Sequence, residues 1–159
     1  MTEAKALPST DLYNKDFVAW ADQQALLLEQ KRWSELDLVN LLEEVRDLGN
    51  RHRDALESHL TRLLMHLLKW QYQPKKRSNS WLLTIKDARR QIAKLIRKHP
   101  VLSVHLEKVW LECYLEAREV AVDETGLLIA TFPLDCPYTL EQLLEQDILS
   151  EAMDSNELS

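Results

Sequence analysis

A chain of 159 residues with a formal charge of −6, two glycines and five prolines reads as one domain of helices and short loops, long enough to bury about two thirds of its surface. Residues 1–11 show no basic start leading into an apolar core, and no apolar run nears the roughly 18 residues of a membrane span, so neither a secretory signal nor a membrane partner is expected. Cys113 and Cys136 are too few and too far apart for a disulfide or zinc framework, which makes a reduced cytoplasmic location without a cofactor the expectation.

Residues 1–10 read as a loose leader, 11–149 as a single helical domain and 150–159 as a disordered tail. A first helix is predicted from Asp11 or Asn14 to Lys31. Tyr13, Phe17, Trp20, Ala21, Leu27 and Leu28 share one face of it, with Gln24 as the polar intruder. Ser34 is the expected cap of a second helix, Asp37 completes a short capping box, and Trp33 with Leu38 forms a hydrophobic staple. The buried stripe of that helix is expected to be Leu38, Leu41, Leu42, Val45 and Leu48. Gly49–Asn50 joins a helix-ending glycine to a good N-cap, which favours a break. Because the stripe keeps nearly the same phase across it, one kinked helix from Ser34 to Tyr72 is the alternative.

Leu56, Leu60, Leu63, Leu64, Leu67, Leu68 and Trp70 then fill an arc of about 160° on a helix. That width suits a helix wedged between several neighbours, so this stretch is the expected centre of the core, with Lys69 on its outer face. Pro74 ends it, and a basic connection follows through Lys75, Lys76 and Arg77. A helix from near Ser80 is expected to bury Trp81, Ile85, Ala88, Ile92, Leu95 and Ile96, and to carry a basic ladder of Lys86, Arg90, Lys94 and Arg97. Ser103 is the expected cap of the next helix, with Leu106, Val109, Trp110, Cys113, Ala117, Val120 and Ala121 inward and Gly126 at its end. Its far face is an acidic ladder of Glu112, Glu116, Glu119 and Asp123. Leu127–Phe132 is read as an apolar loop over the core. Thr139 then opens a short helix, with Gln142 closing the capping box, Tyr138 and Leu143 the staple, and Leu140, Leu144 and Ile148 packing back. The whole is an all-α, single-domain bundle of four or five main helices plus a short C-terminal helix.

Charge is segregated along the chain. Residues 1–58 carry 7 basic and 12 acidic side chains, 59–105 carry 11 and 1, and 106–159 carry 2 and 13. The basic ladder, with Trp70 and Tyr72 nearby, offers a phosphate-tracking surface, but its aromatic rings fall on buried stripes and its acidic flanks would repel nucleic acid. A solvated face is the stronger reading. Each ladder points away from its own apolar stripe, so the two pair poorly within one chain. A homodimer would set one against the other, helped by apolar contact from Leu82, Leu83 and Leu115; an unidentified protein partner would use one of them.

His52, His59 and His66 repeat every seven residues, about 10 Å apart along a helix, too far for two of them to share a metal ion. A metal site would need Glu43 or Glu44 from another helix beside His66. No nucleophile elbow and no glycine-rich phosphate loop occur, and Cys136 has no nearby cation to activate it.

Several blocks carry a family resemblance: DLYNKDFVAW at 11–20, LDLVNLLEEV at 36–45, LLMHLLKWQYQP at 63–74, SW at 80–81 with Ile85, and CPYTLEQ at 136–142. Together they resemble the bacterial family named for domain of unknown function twenty-nine, from about Asp11 to Ile148. That resemblance implies a mostly helical domain and transfers no catalytic residue. The leading expectation is a non-catalytic, cytoplasmic interaction module that self-associates. A nucleic-acid-associated protein using the basic ladder comes second, and a metal-dependent enzyme built on Glu43, Glu44 and His66 third.

Overall fold

Leucine, alanine, glutamate and lysine favour helix, and glycine is scarce; in this computed structural model, which describes residues 9–145, no strand occurs among the described residues. The helices are α1 (Ser9–Lys15), α2 (Phe17–Glu29), α3 (Leu38–Tyr72), α4 (Asn79–Lys98), α5 (Leu102–Thr125) and α6 (Leu140–Leu144). The architecture is thus all-α, as composition and periodicity imply. The chain divides into two compact units, Met1–Arg51 and His52–Ser159. Ile148, residues 1–8 and the tail at 150–159 lie outside the described residues.

In the first unit the expected single opening helix is two. Asp16 leaves helical geometry, and its carboxylate accepts from the Ala19 amide at 3.0 Å, so α2 starts anew. Trp20, Gln24 and Leu27 are its buried side. Asp37, and not Ser34, opens α3. Its carboxylate accepts from Trp20 Nε1 at 3.0 Å and Asn40 Nδ2 at 2.7 Å, while its own amide donates to Gln24 Oε1 at 2.8 Å. Ser34 sits instead in a 3₁₀ turn, Trp33–Glu35, and the expected staple of Trp33 on Leu38 stays in solvent. The expected buried stripe is likewise exposed: Leu38, Leu42 and Leu48 face solvent, Val45 is 62% exposed, and only Leu41 is half-buried.

The break expected at Gly49–Asn50 does not occur. α3 runs through it as one helix of 35 residues. The glycine with left-handed geometry is Gly126, with φ of 70°, where α5 ends as expected. A mid-helix glycine costs roughly 0.5–1 kcal/mol, a cost that the continuous helix tolerates.

In the second unit that stripe does what its width implies. Leu56, Leu60, Leu63, Leu64 and Leu68 are completely buried, against Ile85, Ala88 and Ile92 of α4 and Leu106, Tyr114 and Ala117 of α5. Lys69 departs from expectation, because its side chain is only 10% exposed. Its ammonium lies 4.6 Å from the Trp81 ring centre and 3.4 Å from Glu124. Leu82, expected at an interface, packs on the core. Ser78 caps α4 through the Trp81 amide at 3.2 Å. Ser103 caps nothing; its hydroxyl donates to the Pro100 carbonyl at 2.8 Å, and α5 begins after Val101 without a side-chain cap.

The segment after Gly126 is held by α5. Arg118 donates to the carbonyls of Phe132 at 3.1 Å and Ile129 at 3.0 Å, and Tyr114 to that of Pro133. Phe132 is buried edge-on to Tyr72, whereas Leu128 and Ile129 remain exposed. α6 carries the expected capping box between Thr139 and Gln142. Arg89 is buried beneath it and donates to the Leu143 carbonyl at 3.0 Å.

Candidate functional site

Two helices of the second unit each turn one face inward and leave a charged face outside. On α4, Ile85, Ala88 and Ile92 are buried, and steps of four and three residues set Lys86, Arg90, Lys94 and Arg97 along the exposed side. On α5, Cys113, Ala117 and Ala121 are buried while Glu112, Glu116, Glu119 and Asp123 are exposed. Each row spans 12 residues of helix, 11 steps from end to end, or about 16 Å. Among the described residues none of these eight side chains forms an ion pair. The pairs of this unit lie elsewhere, as Arg62–Asp87 at 3.2 Å, Lys69–Glu124 at 3.4 Å and His105–Glu57 at 3.7 Å.

Half of the acidic row opens onto a groove of about 540 Å³ between α3 and α5. Asp54 and Glu57 stand on the α3 side and Glu112 and Glu116 on the α5 side, with Ser58, Thr61 and Arg62 also at the wall. Met65, Cys113 and Val120 supply its apolar lining. Four carboxylates against one guanidinium, itself paired with Asp87, make this a place for cations. Burial pushes the Cys113 thiol up, with Glu57, Glu116 and Glu112 adding to the effect, and burial does the same at Cys136.

Sequence reasoning missed Asp54 and Glu57. The signal was present: Asp54 lies three and four residues before Glu57 and Ser58, and Thr61 three and four after Ser58 and Glu57, beside the leucine stripe. A polar row of that kind on a helix otherwise wedged in the core marks an open flank.

The metal constellation does not assemble. Glu43, Glu44 and His66 all lie on α3, the last about six turns beyond the others, so the glutamates come from no second helix. Glu44 instead accepts from the Tyr13 hydroxyl at 2.6 Å, which pushes that phenol up to about 12. His66 Nδ1 bonds the Arg62 carbonyl at 2.9 Å, and burial pushes its pKa down despite that bond. His59 is pushed down by burial and by Arg62, and the His52 ring packs 4.2 Å from that of His99. Among the described residues no group of three or more His, Cys, Asp or Glu could hold a metal ion.

The aromatic rings near the basic connection are also engaged. Arg77 donates to the Trp70 carbonyl at 2.8 Å and lies over that ring at 5.0 Å, Tyr72 abuts Phe132, and Trp81 is covered by Lys69. Each of these rings thus has a neighbour within the fold, and Trp70 is buried. No helix among the described residues is long and apolar enough to cross a membrane.

A family model described as domain of unknown function DUF29 matches residues 12–149 of the chain. No curated protein and no solved structure matches it.

Proposed function

We infer the function of this chain, which belongs to the domain of unknown function DUF29 family, from its own surface: a non-catalytic helical interaction module, cytoplasmic and self-associating. One observation carries the reading. Eight exposed charges stand in two rows of opposite sign, α4 basic and α5 acidic, and none forms an ion pair among the described residues. A row of like charges repels itself, and an opposite row on another chain relieves that repulsion.

Exposed ion pairs are each worth only about 0–1 kcal/mol, so apolar contact has to contribute. Leu83 and Leu115 remain exposed and serve for it, whereas Leu82 is spent on the core. The first unit adds the uncovered face of Leu38, Leu42, Val45 and Leu48, a second apolar surface of the kind that interaction proteins keep. A cytoplasmic location is supported by two cysteines that are both free.

Light scattering of the full chain as it elutes at low salt tests the reading. The mass of two chains is the expected result, and a single-chain mass at high protein concentration refutes it. Salt-steep binding of labelled oligonucleotides, lost on reversing Arg90 and Lys94, would put the nucleic-acid reading in its place.

A further inference from the structure

We propose that the groove between α3 and α5 receives the basic ridge of α4 from a second copy of this chain, so that Asp54 and Glu57 are part of the self-association surface. The inference rests on the self-associating module above and goes further by naming the surface that receives the ridge. The acidic partner of the basic row is not a flat row on one helix. It is a channel with carboxylates on both sides, Asp54 and Glu57 facing Glu112 and Glu116 across about 540 Å³.

A second copy is the occupant for three physical reasons. Its charge is complementary, four cations against four carboxylates. Its length matches, because Lys86 to Arg97 on the ridge and Asp54 to Met65 along the α3 wall of the groove are each 11 helical steps, about 16 Å. Its shape also fits, since a helix surface is convex and long lysine and arginine side chains reach into a channel while their stems pack on apolar lining such as Met65 and Val120. Carboxylates on two sides fix the lateral position of an inserted guanidinium, which a single row cannot do. Not every group favours entry. Arg62 repels an incoming cation, although Asp87 holds it at 3.2 Å, and Glu57 has His105 at 3.7 Å. Asp54, Glu112 and Glu116 are the walls without a competing ion pair among the described residues. A two-fold axis makes the contact reciprocal, ridge into groove twice.

That reciprocity gives a decisive test with the full chain. One variant reverses the ridge, Arg90→Glu with Lys94→Glu; the other reverses the groove, Asp54→Lys with Glu116→Lys. Sedimentation velocity at low salt reads the association of wild type, each variant alone and the two mixed in equal amounts, with circular dichroism confirming that both fold. Each variant alone should dissociate at least about tenfold more readily, because like charges then oppose one another. The mixture should recover dimer, since reversed ridge meets reversed groove. A wild-type dimer with an unaffected Asp54→Lys/Glu116→Lys variant, or with no recovery on mixing, overturns the groove and leaves self-association standing. A wild-type monomer overturns both.

Discussion

Lys69 separates what periodicity implies from what packing does. On a helical wheel it belongs to the outer face of the leucine helix, and Lys69→Ala should then cost under about 0.5 kcal/mol, as surface changes do. In the fold its side chain is 10% exposed, with the ammonium 4.6 Å from the Trp81 ring centre and 3.4 Å from Glu124. Three methylenes leave with truncation, worth up to about 0.8 kcal/mol each. A partly desolvated cation over tryptophan adds about 1 kcal/mol. The pair with Glu124, which is 50% exposed, adds at most about 1 kcal/mol after screening. Against these stands about 1.5–2 kcal/mol of side-chain entropy that lysine no longer loses. The balance is a destabilisation of about 2 kcal/mol for Lys69→Ala, and under about 1 kcal/mol for Lys69→Met, which keeps the stem. Urea unfolding with an unchanged slope measures both. If Lys69→Ala falls within about 0.5 kcal/mol of wild type, the lysine lies in solvent and the reasoning fails.

Leu63→Ala and Leu67→Ala should each cost about 2–5 kcal/mol in the same urea melts, the usual loss for a leucine truncated inside a core; a smaller loss would show the α3 stripe to be loosely packed. Gly49→Ala should raise stability by about 0.5–1 kcal/mol, because Gly49 lies inside continuous α3. Gly126→Ala should lower it by about 1 kcal/mol, because φ there is 70°; the opposite signs would restore the broken helix. His66 is pushed below its ordinary 6.5, by burial first. The unfolded chain therefore binds a proton that the folded chain does not, and stability should fall as pH drops through 6.5 toward the lower folded value. His66→Gln should flatten that slope in urea midpoints taken across the range, and an unchanged slope would remove the burial argument.

The second unit was legible in the sequence because seven apolar positions at helical steps define a face too wide for one neighbour. The same logic misread the first half of α3. Leu38, Leu42, Val45 and Leu48 have an equally regular spacing, but periodicity reports that a face exists and not that a partner covers it. Cap positions misled for a different reason. Ser34 and Asp37 are both good caps, and the choice is made by Trp20 and Gln24, which reach Asp37 from α2. Asp16 was hidden inside an apolar stripe that continues through it. The two charged rows were legible because they alternate with strongly apolar faces. The α3 side of the groove was not, since Asp54 and Glu57 become a wall only once α5 lies across from them.

The measurement closest to the central claim is sedimentation velocity of the full chain through a series of salt concentrations, wild type beside Arg90→Glu. Ions shorten the reach of exposed charges to about 10 Å near 0.1 M and to about 3 Å near 1 M. The account predicts a wild-type monomer–dimer equilibrium that weakens steadily along the series and an Arg90→Glu variant already weak at its start. A dimer indifferent both to salt and to Arg90→Glu, or a strict monomer at low salt and high protein concentration, would contradict it.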